Sequence, residues 1–458
     1  MAENTIRPAT LRSAFAIAWP ASLAAVVTPV LGLTDTAVLA RGADNGALAG
    51  AALAGAVFSL LYWTFGFLRM SLSGLSAQAL GRNNEEELRA HLARGVLIGG
   101  AIGFVLLLLS VPIIRLAEWA LVDSSNASPE AGAAMRSYIG VRILAAPFAL
   151  MTTAILGWLS GQGRTRLLMV VTIGTATVNA GLSVLFVLGL DGGIRGLAAA
   201  TALAELSGAL LGAAAVLLIV RQRGGVSASW SKEALRRGWG AVLRLNRDIF
   251  IRTAILTSVI ASFTRLGAGF DDVTVAANQV LLNLLLAVTL LLDGTAIAAE
   301  AFVGQALGAA KGRERLFKAA WQTTSALAGG LAVILSLALL LAGEPILSSL
   351  IGDGPGNEQL LGEALRFLPW VVAAPLAVAT AFQLDGIYIG ATRGPALRNS
   401  MVAAGLVYVA GVMLLVGSMG NHGLWAALIG FMLARGIGLL ALWPGFARLL
   451  ARSQTAAS

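Results

Sequence analysis

Carboxyl and amide side chains stand at intervals inside stretches otherwise too apolar to hold them. Asp35 lies within Leu31-Gly32-Leu33-Thr34-Asp35-Thr36, in a run that also contains Pro20 and Pro29. A charge at the centre of a membrane helix costs about 2.5–3.5 kcal/mol on insertion scales, so such a carboxyl is kept for a function, for a partner, or because it lies near an interface. Burial favours the neutral, proton-carrying form of a carboxyl. Each proline removes a backbone donor and gives its helix a place to bend. Asp35 is therefore the first candidate for a group whose proton loading couples to the shape of its helix. The competing reading is an inert, hydrogen-bonded Asp near the helix end.

Asn179 and Ser183 are four apart, as are Thr201 and Glu205, so each pair shares a helix face. With Asp35 they would form a polar pocket in the N-terminal half. Ordinary interhelical hydrogen bonding accounts equally well for Asn179, Ser183 and Thr201. Glu205 is ionisable and has the better claim to proton or cation coupling. In the C-terminal half, one stretch carries Asn278, Gln279, Asn283, Asp293 and Glu300, and another carries Gln383 and Asp385. Gln279 and Asn283 share a face, as do Asp293 and Glu300. Asp293 and Asp385 are the better candidates for coupling. Asn278, Gln279, Asn283 and Glu300 read as polar lining, with Glu300 close to the cytoplasmic mouth because Lys311 and Arg313 follow it. Arg142 and Arg265 are expected to extend to the outer interface. Arg435 lies deeper and should pair with an acid that the sequence does not identify. Tyr62, Trp63, Phe65 and Phe67 read chiefly as packing or lipid-facing residues.

The elements that must position these groups follow from composition. Of 458 residues, 57% are hydrophobic and 12% charged. A soluble domain carries about a quarter charged residues, so this chain cannot cover a water-facing surface, and its apolar excess must face lipid. A bilayer core of ~30 Å needs roughly 20 apolar helical residues. Twelve stretches meet that length: 14–40, 47–68, 95–115, 138–159, 167–190, 196–220, 249–267, 274–303, 319–343, 366–389, 399–418 and 423–446. The predicted fold is all-α and polytopic.

The net charge of +9 would suggest nucleic acid in a soluble protein. Here the basic residues cluster in short loops, as cytoplasmic flanks of membrane helices do. With the N-terminus inside, three quarters of the 32 Lys and Arg residues fall in cytoplasmic segments. That places both termini in the cytoplasm of a bacterial inner-membrane protein, and the residues before Leu11 read as a cytoplasmic tail. Cysteine is absent, and His91 and His422 lie far apart. No disulfide framework, metal constellation or other cofactor site is legible.

The halves repeat. Gln78-Ala79-Leu80-Gly81 recurs as Gln305-Ala306-Leu307-Gly308, and Ala145-Ala146-Pro147 as Ala373-Ala374-Pro375. Gly157, Gly161 and Arg164 recur as Gly386, Gly390 and Arg393. Several matches in one order at nearly one shift speak against chance. Six spans per copy make the repeats parallel, related by an axis along the membrane normal. The expected organisation is a lobe over 1–220, a connector over 221–248 that forms a short amphipathic helix, and a lobe over 249–458. Two such lobes suit alternating access by rocking.

These motifs resemble those of the MATE transporters, and within them the DinF-like branch. The pattern Trp19-Pro20 followed by Leu33-Thr34-Asp35-Thr36-Ala37-Val38 is similar to the family's opening motif. The segment Tyr62 to Met70, running on to Ala77-Gln78-Ala79-Leu80-Gly81-Arg82, looks like the second-span signature. Leu292-Asp293-Gly294-Thr295-Ala296-Ile297-Ala298-Ala299-Glu300 is similar to the eighth-span motif, and Leu384-Asp385-Gly386-Ile387-Tyr388-Ile389-Gly390 to the tenth. The resemblance covers essentially the whole chain. It implies antiport of organic cations, with the first-span Asp in proton coupling and bending at Pro20. It also implies N-lobe pocket positions at Asn179 and Thr201. Some relatives carry a second acid in the fifth span, where Ser183 stands here, so Asp35 works alone or Glu205 substitutes. Sodium-coupled relatives place acids in the C-terminal lobe, which keeps Na+ as the alternative to H+ through Asp293 and Asp385.

The expected function is export of small amphipathic organic cations in exchange for H+ or Na+ by a monomer embedded in membrane lipid. Acids in an apolar cleft suit such cargo. A lipid-linked sugar flippase would need several deep arginines for pyrophosphate, and few are visible. An enzyme would need a catalytic or metal cluster, and an ATPase a phosphate-cradling loop. Neither pattern is present.

Overall fold

Twelve helices long and apolar enough to cross a membrane account for most of the chain in a computed structural model, which describes residues 7–42, 45–123, 128–224 and 232–445. They are α1 (Leu11–Arg41), α2 (Gly46–Gly81), α3 (Glu85–Leu108), α4 (Pro129–Gly161), α5 (Thr165–Gly189), α6 (Gly193–Gln222), α7 (Trp239–Gly267), α8 (Asp272–Gly308), α9 (Arg313–Ile351), α10 (Asn357–Gly390), α11 (Gly394–Met419) and α12 (Asn421–Gly445). Each falls on one predicted span, and no strand occurs among the described residues. The end of the last predicted span, at 446, lies outside them.

The helices run beyond the apolar stretches, and several of their N-termini carry side-chain caps as in soluble proteins. The segment 69–94, which reads as a cytoplasmic loop, is mostly helix. Only a tight turn separates α2 from α3, with Asn83 at φ 53°. The Asn84 side chain accepts from the Glu87 backbone N–H at 2.9 Å, and Glu85, Glu86 and Glu87 complement the helix N-terminus. At the start of α8, Asp271 accepts from the Thr274 hydroxyl at 2.7 Å and from its N–H at 3.0 Å. These two bonds hold the Asp271 carboxyl below the usual carboxylate range. The connector is likewise shorter than expected. A five-residue helix, Lys232–Arg236, precedes α7, which already starts at Trp239. Buried Arg94 of α3 holds this segment by donating to the carbonyls of Leu235 and Arg237.

Two compact units divide the chain. One contains Leu23–Ser76 and Asn84–Val242; the other contains Met1–Ser22, Ala77–Asn83 and Leu243–Ser458. We call them the N-terminal and C-terminal units. The first division falls just after Pro20, inside α1.

Small residues let the helices of the N-terminal unit approach closely, which lipid-embedded packing requires in the absence of a hydrophobic drive between helices. Gly95, Gly99 and Gly103 form one edge of α3. A Cβ on Gly99 would stand 2.6 Å from the Leu150 carbonyl oxygen, and one on Gly103 would strike the Ala146–Pro147 backbone. Gly103→Val is therefore expected to cost about 1–3 kcal/mol through overpacking, read as a lower thermal midpoint in detergent. Gly100→Val is the control, because its nearest neighbour is the flexible Met151 side chain at 3.6 Å. Equal midpoints would contradict this packing.

The repetition in sequence is repeated in backbone detail. After α4, Gly163 has φ 70° and the Arg164 N–H bonds the Leu159 carbonyl at 3.0 Å. After α10, Thr392 has φ 53° and the Arg393 N–H bonds the Tyr388 carbonyl at 2.9 Å. Two of the three π-helical segments among the described residues occupy matching places, Val184–Gly189 in α5 and Val412–Val416 in α11. Such segments are rare and tend to mark functional regions. That in α5 begins directly after Ser183. In the C-terminal unit, the core gathers Phe263, Phe367, Tyr408, Trp425 and Phe431, with Phe263 and Trp425 edge to face at 5.0 Å.

Candidate functional site

Asp35, the first residue singled out by its type, takes part in a hydrogen-bonded chain inside the N-terminal unit. The Ser183 hydroxyl lies 3.0 Å from Asp35 Oδ1 and 3.2 Å from Asn179 Oδ1. It has one proton for these two acceptors. Asn179 Nδ2 donates to Thr201 Oγ1 at 3.2 Å, and the Thr201 hydroxyl donates to the Leu197 carbonyl at 3.0 Å. With the Thr201 proton so engaged, the Tyr138 hydroxyl, 3.4 Å away, is the donor in their contact. Asn179 and Ser183 are fully buried and Thr201 nearly so. The four-residue spacings on α5 and α6 thus bring together the polar groups that the sequence pattern grouped.

Arg142 extends the chain. Its Nη1 donates to Tyr138 at 3.5 Å, and its Nε and Nη2 donate to Glu205 Oε1 at 3.1 and 2.9 Å. Tyr62 donates to the other Glu205 oxygen at 3.2 Å. The guanidinium lies 4.3 Å from the Phe58 ring centroid and 5.5 Å from that of Tyr62, distances at which a cation is attracted by the ring. The expectation that Arg142 extends to the outer interface is therefore corrected. The helix begins at Pro129, not 138, so Arg142 lies a further ~13 Å from its start and points inward to an acid. Tyr138 was not singled out in the sequence and Arg142 was placed elsewhere, yet both belong to this hydrogen-bonded chain. Their i, i+4 spacing was the available signal.

A cavity of about 490 Å³ opens beside this chain. Asp35 and Arg142 are its charged lining residues, and Tyr138, Thr201, Ser59 and Thr36 add polar atoms. Pro29, Leu31, Leu33, Leu48 and the alanines of α2 supply apolar wall. Arg142 and Glu205 answer each other's charge. Asp35 forms no ion pair among the described residues, so the three groups together carry one net negative charge when Asp35 is ionised and none when it is protonated. The volume suits a drug-sized molecule.

The C-terminal unit distributes its polar groups differently. Asp385 is clamped between two arginines: Arg252 of α7 and Arg435 of α12, the latter at 2.6 Å. All three are buried. Asp385 is the partner that Arg435 required. Arg252, within the predicted span 249–267, lies inside α7. A carboxylate held by two guanidiniums has no net charge to offer a further cation. Asn278 is not lining but a clasp: it exchanges amide hydrogen bonds with Asn421 at 2.8 and 2.9 Å and accepts from Trp425. Gln279 donates to Asn283 at 3.3 Å, and both are exposed. Asp293 is half-buried and Glu300 buried. Gln383 donates to the Thr324 hydroxyl at 2.6 Å. Asp385, Asn278 and Gln383 thus bond three separate sets of partners.

The chain matches the MatE family model twice, over residues 20–185 and 249–414, at the shift at which its motifs repeat. It is 36% identical over 427 residues to DNA damage-inducible protein F of Escherichia coli (strain K12), covering 93% of this chain and 90% of that protein. It is 25% identical over 456 residues to a probable multidrug resistance protein NorM of Neisseria meningitidis serogroup A / serotype 4A, covering 96% and 95%. A crystal structure of MATE in the bent conformation superposes with a TM-score of 0.83 at 18% identity, covering 98% of this chain and 97% of that one. An outward-facing multidrug resistance MATE family transporter of the MOP superfamily superposes at 0.81 and 18% identity, covering 96% of each chain. At these identities the structural likeness is one of fold.

Proposed function

The chain belongs to the MatE family of multidrug-efflux membrane transporters, and from that membership we propose that it exports amphipathic organic cations in exchange for protons, with Asp35 as the coupling carboxylate. One observation supports this most strongly. In the 490 Å³ cavity the Arg142 charge is answered by Glu205, and Asp35 carries the net charge alone. A proton and a cationic ligand then compete for the same group. Occupation by either neutralises it in a place where an uncompensated charge is costly. That competition is the thermodynamic basis of antiport: loading one species favours release of the other.

Glu205, a sequence candidate for coupling, serves in this reading to hold Arg142. Asp385 serves as an interhelical tie. Bending at Pro20 is the proposed link between Asp35 and the direction in which the cavity opens. The protein works as a monomer in a bacterial inner membrane, with both termini on the cytoplasmic side, where its basic segments belong.

Transport by protein reconstituted in liposomes, with proton and sodium gradients imposed separately, tests the coupling ion. A pH gradient alone is expected to drive accumulation of a cationic dye, and a sodium gradient at equal pH to leave it at background. Accumulation driven only by sodium would overturn proton coupling and return attention to Asp293.

A further inference from the structure

A second cavity, of about 660 Å³, lies wholly in the C-terminal unit, to which Asp35 does not belong. It is a groove between α9 and α12 with α10 as its floor. Its lining is mostly apolar, as at Ala328, Val333 and Leu440, with Ser325, Thr380 and Gln383 as its polar members. At its mouth stand Trp321 and Trp443, edge to face at 5.7 Å, with Phe317 packed on Trp443 at 6.0 Å. Tryptophan gathers at the level of the lipid headgroups, so this cluster marks where the groove meets the interface. From Trp321 to Val333 the groove extends about 18 Å along α9 at 1.5 Å per residue. One leaflet of a ~30 Å hydrocarbon core is ~15 Å thick. The groove therefore has the height of an acyl chain.

Charge continues the pattern above the mouth. Lys318 and Trp321 are three apart on α9, and Ser325, Ala328 and Ala332 follow on the same face at helical spacing. Arg315 and Lys318 line an adjoining surface hollow with Glu314, a net positive lining one turn outside the tryptophans. A basic pair at headgroup depth, an aromatic collar and a one-leaflet, mostly apolar slot follow one another along α9.

We propose that this groove is a binding site for an anionic phospholipid of the adjacent leaflet, with one acyl chain between α9 and α12 and its phosphate against Lys318 and Arg315. The site is separate from the cation cavity. Charge complementarity argues against a cationic drug here, since its positive end would meet two cations at the mouth.

Brominated lipids test this, because bromine in an acyl chain quenches tryptophan by contact. The protein is reconstituted in phosphatidylcholine containing a small fraction of brominated phosphatidylglycerol, and the Trp321→Phe/Trp443→Phe variant identifies the contribution of these two among the ten tryptophans. The wild type is expected to show quenching of that contribution well above the bulk lipid fraction. Brominated phosphatidylglycerol should be preferred over brominated phosphatidylcholine by about fivefold per basic residue, from about 1 kcal/mol for each Lys or Arg at an anionic surface. Lys318→Gln/Arg315→Gln should remove the preference. Gly329→Leu should reduce quenching to the bulk level without straining the fold, since nothing lies within 4 Å of a Cβ at that position. Equal quenching by the two lipids in the wild type, or undiminished quenching in Gly329→Leu, would overturn the proposal. So would relief of quenching by a cationic dye.

Discussion

Asp35→Asn is expected to reduce gradient-driven efflux to the level of vesicles lacking the protein, while the variant inserts and folds as the wild type does. The substitution is nearly isosteric and keeps an oxygen that accepts from Ser183, now at 3.0 Å from Asp35 Oδ1. What it removes is the net negative charge of the cavity and the place where a proton is carried. A charged group left alone at the wall of an apolar cavity is costly, so its neutral replacement should not destabilise the fold. Loss of transport with an unchanged thermal midpoint would separate function from folding. Full efflux by the variant would remove Asp35 from the mechanism.

The second large effect concerns stability. Asp385→Asn should lower the unfolding free energy by about 3–5 kcal/mol, the usual cost of breaking a buried pair by removing one partner. Arg435 is 0% exposed and Arg252 5% exposed, so both guanidiniums would remain buried without their shared anion. Replacing all three charges together by Leu and Met should recover much of that loss, because a buried charge cluster is seldom more stable than apolar side chains of similar size. Thermal midpoints in detergent of the single and triple variants check both statements. A single variant as stable as the wild type would mean that the clamp contributes little. Removing transport while keeping stability at Asp35, and the reverse at Asp385, distinguishes the two acids that the sequence placed in one class.

Much of this was legible because lipid imposes a simple rule. Backbone groups must be satisfied within each helix and the outward side chains must be apolar, so all twelve spans stand out as long apolar runs. Helix ends were less legible. Beyond the membrane the apolar signal stops while the helix continues, and local capping at residues such as Asn84 and Asp271 decides where a helix starts. That error had a consequence at Arg142: starting its span at 138 put it at a membrane edge, whereas starting at Pro129 puts it inside with Glu205.

Four-residue spacings revealed Asn179 with Ser183 and Thr201 with Glu205, because one helix face is a local property. Partners on different helices are not. Nothing in sequence spacing joins Asp385 to Arg252 and Arg435, or Asn278 to Asn421; tertiary packing alone brings them within hydrogen-bonding distance. An acid among apolar residues therefore read the same whether it was left to carry charge, as Asp35 is, or fully answered, as Asp385 is.

Proton release on ligand binding tests the central claim most directly. Purified protein in weakly buffered detergent solution is titrated with a cationic dye while pH is recorded, across a range in which Asp35 changes from protonated to charged. At the acid end, binding should expel protons, approaching one per dye bound, with the yield falling as pH rises and no release from Asp35→Asn. Dye binding without proton release at every pH, or equal release from Asp35→Asn, would contradict competition at this carboxylate.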